Sequence, residues 1–225
     1  MWLSFVLFIV ALGMISARGS ALLQTLTDEE LMKRYQKGQS AAFELLYQRH
    51  RKPIFGFILR YVRERDKAEE LMQEVFFKLV QQRNNYKTQA KFTTWLYTIA
   101  RNLCIDTYRK SKHRQTVSLQ QNVGGEEDGA SLEQLLEDLN PGRDGEQRVF
   151  DRQLQRVIEE GVQLLPDEQK QAFLLRQVSH LKFKEIAEIA DTSENTIKSR
   201  MRYALEFLRR HLEAAGFSLT DLEQN

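Results

Sequence analysis

Apolar residues recur at three- and four-residue spacing along most of this chain, and proline occurs only three times in 225 residues. That period belongs to amphipathic helices, whereas the strict alternation of half-buried strands is hard to find. The expected fold is all-α. The length fits one large domain or two small ones, and the order of segments along the chain favours two small helical domains joined by a flexible linker.

Thr27-Asp28-Glu29-Glu30 has the form of a capping box and opens a first helix carrying Leu31, Met32 and Tyr35, which Gly38 ends. Ser40 opens a second, with Phe43, Leu46, Tyr47, Phe57, Ile58 and Tyr61 as its apolar stripe. Pro53 should kink or split that helix. A third begins at Asp66 and turns Leu71, Val75, Phe76 and Leu79 inward. After a polar connection over 84–91, a fourth runs from about Thr93 to Lys112 with Leu96, Ile99, Ala100 and Leu103 inward. These helices define a first domain, 27–114.

Residues 115–148 read as an acidic linker broken by Gly124, Gly125, Gly129 and Asn140-Pro141-Gly142. One short helix fits within it, on Leu132, Leu135, Leu136 and Leu139. A second domain spans 149–213, starting on Phe150, Leu154, Val157 and Ile158. It continues past Pro166, near a first helical turn, to Phe173 and Leu174. Residues 214–225 are a tail.

The net charge of +2 conceals a strong asymmetry. Residues 25–115 hold 19 Lys/Arg against 10 Asp/Glu, while 116–150 hold 2 against 8. A basic face suits a polyanionic partner, and a solvated helix surface is the plain alternative. Cys104, the one cysteine, excludes an internal disulfide and sits in an apolar stretch as a buried thiol. His50, His113, His180 and His211 lack ligand spacing. No paired-carboxylate cleft, phosphate-binding glycine loop or nucleophile motif appears, so neither an enzyme nor a cofactor is expected.

Residues 1–26 form an apolar extension. Trp2–Ala17 is short for a membrane span, and no basic residue precedes Arg18 as a signal peptide would require. A start codon placed too early, with Met14 or later as the true start, is the preferred reading. A membrane anchor and a helix packed on the body are the alternatives. Everything downstream reads as cytoplasmic.

The sharpest local pattern lies between Lys182 and Arg210. A short helix with Phe183, Ile186 and Ala187 meets a polar turn, Asp191-Thr192-Ser193. A second helix then puts Ile197, Met201, Ala204, Leu205 and Leu208 on one face. Lys198, Ser199, Arg200, Arg202 and Tyr203 remain outside. A DNA-reading helix-turn-helix needs this arrangement, and an ordinary helical hairpin also satisfies it.

Leu165-Pro166-Asp167-Glu168-Gln169, Phe173-Leu174-Leu175-Arg176, Glu185-Ile186-Ala187-Glu188-Ile189-Ala190 and Ser193–Arg200 together resemble the C-terminal domain of ECF (extracytoplasmic function) sigma factors of the sigma-70 family. Asp66–Phe76 resembles the helix by which that family grips the polymerase β′ subunit, and Thr94–Asn102 its −10 recognition helix. The resemblance spans 27–112 and 149–211, with Glu70 where the family usually has Asp.

The resemblance implies a sigma factor that binds core RNA polymerase, through its β′ and β subunits, and promoter DNA. An anti-sigma factor is a further expected partner; direct membrane association is not expected. Asp66, Glu69, Glu70, Gln73 and Glu74 would bind core polymerase. Tyr86, Lys87, Lys91, Tyr97, Arg101, Asn102, Arg109 and Lys110 would serve the −10 element, with loop 84–92 as an extruded-base pocket or a plain connector. Lys112 and Arg114 would extend the basic stripe, and Trp95 is assigned to the core. Thr196, Lys198, Ser199, Arg200, Arg202 and Tyr203 would meet the −35 element, unless Arg200 braces the fold. The acidic linker would lie near the polymerase RNA path. A stand-alone DNA-binding regulator and a membrane-tethered interaction protein are the competing readings.

Overall fold

A computed structural model describes residues 23–87, 91–118 and 145–217, with side chains as far as 110 in the second stretch and from 150 in the third. Residues 1–22 of the apolar extension, the linker's Leu132–Leu139 helix and acidic groups, and the end of the tail lie outside the described residues, whereas Leu23 at the end of the extension is buried in the core.

Eight α-helices and one 3₁₀ turn are described, without a strand. They are α1 (Asp28–Gln36), α2 (Ser40–Val62), α3 (Arg65–Gln81), α4 (Phe92–Ser118), α5 (Gly145–Leu164), α6 (Asp167–Gln177), α7 (Phe183–Ala190) and α8 (Glu194–Ala214). The 3₁₀ turn, Arg83–Asn85, follows α3.

The first domain packs α1–α4 around Leu31, Met32, Leu46, Ile54, Phe57, Phe76 and Leu96, all fully buried. The capping box at Thr27 forms on both sides: Glu30 N–H donates to Thr27 Oγ1 at 3.3 Å, and Thr27 N–H donates to Glu30 Oε2 at 2.9 Å. Of the kink or split anticipated at Pro53 the split does not occur, and α2 runs through it as one 23-residue helix. Burial of Ile54, Phe57 and Ile58 outweighs the lost hydrogen bond.

Asp28 ties α1 to α2, accepting from Arg49 Nη1 at 2.7 Å and pairing with His50 Nε2 at 2.6 Å. Burial alone would raise its carboxyl pKa, but the hydrogen bonds from His50 and Arg49 outweigh burial and hold it below the ordinary value. A carboxyl depressed in the folded state stabilises above its unfolded pKa of about 4 and loses that contribution as pH falls through the folded value. Asp28→Asn is expected to cost about 1–3 kcal/mol at pH 7, with a shrinking difference below about pH 4, read by urea unfolding.

Cys104 is fully buried, and burial pushes its thiol pKa up to about 12. Native protein should therefore resist iodoacetamide at pH 8, and urea-unfolded protein should label within minutes.

In the second domain α5, α6, α7 and α8 enclose Leu174, Leu175, Ile186, Ile189, Ile197 and Ala204. Gly161 allows α5 to touch α8, because a Cβ there would lie 2.8 Å from carbons of Leu208 and His211. Phe150 stacks edge-on against Phe217 at 5.5 Å, which ties the start of α5 to the residues after α8. Helices also reach into the anticipated linker from both sides. The run His113–Ser118 contains no breaker and stays helical, and α5 begins at Gly145 rather than near Val149.

The two domains pack together, with α7 against α4 and α6 against α2.

Candidate polymerase and promoter interfaces

Three surfaces carry the residues singled out by sequence. The first is the outer face of α3. Glu70 is exposed and Glu69 and Glu74 are half-buried, each paired only within its own helix: Arg65–Glu69 at 3.1 Å, Lys67–Glu70 at 2.7 Å and Lys78–Glu74 at 3.8 Å. Asp66 is exposed and Gln73 half-buried on the same side. Exposed pairs of this kind contribute about 0.2–1 kcal/mol each, so a partner can replace them at little cost. Sequence reasoning missed Phe77, which is half exposed while Val75, Phe76 and Leu79 are buried. Its place seven residues after Glu70 was the available signal, since that spacing returns to the same helical face.

The second surface is the loop before α4 and the exposed side of that helix. Helix α1 holds the two sides of the loop. Gln36 Nε2 donates to the carbonyls of Arg83 and Tyr86 at 2.8 and 3.0 Å, and Glu29 Oε1 accepts from Phe92 N–H at 2.9 Å. The sequence assigned Tyr86 and Tyr97 as contacts for melted DNA, and here the structure corrects it. Tyr86 is 4% exposed, with its ring against Phe92 and Trp95; Tyr97 is 3% exposed, edge-on to Phe57. Both rings complete the core, and Trp95 joins them half-buried, as expected for a core aromatic. Lys87, Asn102, Arg109 and Lys110 are exposed, whereas the side chains of Lys112 and Arg114 lie outside the described residues.

The remaining two members of this set are occupied by the second domain. Lys91 Nζ is 2.5 Å from Glu185 Oε1 on α7, and Arg101 Nε donates to Gln171 Oε1 on α6 at 2.7 Å. Burial lowers the Arg101 pKa from its ordinary value.

The third surface is α8. Asp191 turns the chain at φ +50°, and Ser193 caps α8 by accepting from Thr196 N–H at 3.1 Å. Thr196 Oγ1 lies 2.8 Å from Ser193 Oγ, inside the cap. Lys198, Ser199, Arg202 and Tyr203 are exposed, at spacings that place them on one side of the helix. The Arg202 guanidinium lies over the Tyr203 ring, 5.0 Å from its centroid. Arg200 separates from this set, because its Nη2 bonds Glu168 Oε2 at 2.8 Å and braces α8 on α6. Leu205, assigned to the buried stripe, is 47% exposed. The stripe centres on Ile197, Met201, Ala204 and Leu208, and its 4-3-4 spacing leaves residue 205 outside.

A groove of about 500 Å³ separates α2 from α5 and α6, with Lys52, Arg60 and Arg63 beside Ile158, Phe173 and Val178. Among the described residues no helix is long and apolar enough to cross a membrane, and no cluster of His, Cys, Asp and Glu is suited to a metal ion.

Comparison with known proteins finds two family matches. Residues 46–114 match the family model for sigma-70 region 2, and residues 155–208 match that for sigma-70 region 4. The ECF RNA polymerase sigma-E factor of Escherichia coli is 31% identical over 183 residues, covering 81% of this chain and 93% of the relative. That of Haemophilus influenzae is 28% identical over 190 residues, covering 84% and 97%. Two solved structures share the fold. One is the sigma factor RpoE in complex with the anti-sigma factor NepR from Bartonella quintana (TM-score 0.58, 20% identity, 76% of this chain and 96% of that one). The other is CnrH in complex with the cytosolic domain of CnrY (TM-score 0.60, 16% identity, 83% and 97%). Two regions in the family's order, on relatives matched nearly end to end, place this chain in the ECF group of sigma-70 family RNA polymerase sigma factors.

Proposed function

We propose that this chain binds core RNA polymerase through the outer face of α3 and directs it to promoters read at two points. Glu69, Glu70, Glu74 and the apolar Phe77 form the polymerase face, with Asp66 and Gln73 beside them. Lys198, Ser199, Arg202 and Tyr203 enter the −35 major groove, with Thr196 at the helix start. Lys87, Lys91, Arg101, Asn102, Arg109 and Lys110 neutralise and position the melted −10 strand. The observation that carries this reading is the ordered pair of sigma-70 regions, 46–114 and 155–208, each presenting an exposed charged face. Two weak DNA-binding units on one tether gain by effective concentration once both are held on polymerase. The chain is a regulatory subunit, with no reaction chemistry of its own, and works in the cytoplasm where polymerase and promoter meet.

An anti-sigma factor is a further partner. The apolar groove between α2 and α6, with Lys52, Arg60 and Arg63 at its edge, suits an acidic amphipathic segment.

Permanganate footprinting tests the promoter reading. Thymines near −10 should become reactive only when this chain and core enzyme are both present. Reactivity with core alone, or none with the pair on a promoter it transcribes, would contradict it.

A further inference from the structure

Helix α1 lies outside the residues matched to sigma-70 region 2, which begin at 46, and carries none of the residues assigned to polymerase or DNA. Leu31, Met32 and Tyr35 anchor it in the first-domain core. Glu29 and Gln36, both half-buried, are seven residues apart. That spacing returns to one side of a helix and covers about 10 Å along it.

Both side chains reach backbone groups between α3 and α4. Gln36 Nε2 donates to the Tyr86 carbonyl at 3.0 Å as well as to that of Arg83. Glu29 Oε1 accepts from Phe92 N–H at 2.9 Å. Phe92 is the first residue of α4, so this amide has no acceptor within its own helix, and Glu29 caps α4 from another one. The Tyr86 carbonyl belongs to the peptide that joins it to Lys87, and the Phe92 N–H to the peptide that joins it to Lys91. Each lysine assigned to the −10 strand here therefore starts from a peptide plane that α1 orients.

Packing does a different job. Tyr86 and Phe92 are 4% and 0% exposed, so their rings seat the chain on the core. A seated ring still leaves two soft dihedrals beside it, and the hydrogen bonds restrict these. Arg83 is held from the same helix, with its guanidinium over the Tyr35 ring at 5.6 Å. Phosphate contacts carry no sequence information themselves, but they fix the register in which bases are read. A surface placed before binding discriminates better than one that must be ordered on every strand it meets.

We propose that Glu29 and Gln36 are positioning residues for −10 recognition. They fix the peptide planes from which Lys87 and Lys91 extend, and so set base discrimination without touching DNA. The proposal rests on the reading of those lysines as −10 contacts, but the hold by α1 does not.

Two readouts separate them. Amide NMR of the free full chain reads the hold. Glu29→Ala should speed exchange of the Phe92 amide about 10-fold, and Gln36→Ala should move the Lys87 amide signal. Competition binding of holoenzyme to promoters with single base changes reads discrimination. Each alanine variant should lower the preference at −10 about 5- to 10-fold, with −35 preference and core affinity within twofold of the parent. Glu29→Gln, which keeps an oxygen acceptor for Phe92 N–H, should retain the −10 preference. Unmoved Lys87 and Phe92 signals would overturn the hold. Equal losses at −10, −35 and core binding would reduce Glu29 and Gln36 to fold stability and overturn the positioning role. Altered amide signals with −10 preference intact would overturn it as well and count against Lys87 and Lys91 as −10 contacts.

Discussion

Replacing Glu70 and Glu74 by lysine together with Phe77→Ala is expected to weaken binding to core RNA polymerase by at least about 100-fold, or about 2.7 kcal/mol. Charge pairs across protein interfaces couple by about 1.5–7 kcal/mol in measured cases, and reversal turns attraction into repulsion. Truncating an exposed aromatic at an interface centre adds about 2 kcal/mol. Fold stability should hardly change, because Lys67–Glu70 and Lys78–Glu74 are solvent-exposed pairs and Phe77 is already half in water. Binding of dye-labelled chain to purified core enzyme, with thermal melting as control, separates the two effects. Affinity within twofold of the parent would remove α3 from the polymerase interface.

Arg202→Ala and Arg200→Ala, two residues apart on one helix, should fail differently. Arg202 is exposed with its guanidinium over Tyr203, and its loss should cost promoter affinity about 1–3 kcal/mol, concentrated at one or two −35 base pairs. Lys198→Ala should instead weaken every sequence alike and reduce the salt slope by about 1. Arg200 is held by Glu168, so its replacement should lower the melting temperature of the helix-turn-helix domain more than it alters base preference. Competition binding of holoenzyme to −35 variants, alongside calorimetry, resolves the three. Equal loss of base preference from Arg200→Ala would return that residue to the DNA face.

Local chemistry was legible in the sequence. The Thr27 capping box, the inward faces of α3 and α4, buried Cys104 and the Asp191–Ser193 turn all follow from spacing and residue type. What depended on tertiary packing was not. The apolar ring of Tyr97 could face melted DNA or Phe57, and only the placement of α2 decides for the core. Leu205 lies one residue beyond the stripe centre, and its exposure follows from how α8 is rolled against α5 and α6. Nothing in the spacing marks Lys170 and Gln171 for burial, since lysine and glutamine are usually solvated. Their burial comes from a domain contact about 70 residues away in sequence, between Arg101 and Gln171. Pro53 is the opposite case, since local propensity allowed a kink or a split and core packing keeps the helix unsplit.

The central claim is that this chain gives core polymerase its promoter choice. Run-off transcription with purified core enzyme and a genomic fragment library, with and without this chain, tests it most directly. Discrete transcripts that require both components are expected, from fragments sharing one −35 and one −10 sequence. Failure of the chain to form any complex with core enzyme, together with a promoter footprint by the chain alone, would contradict it.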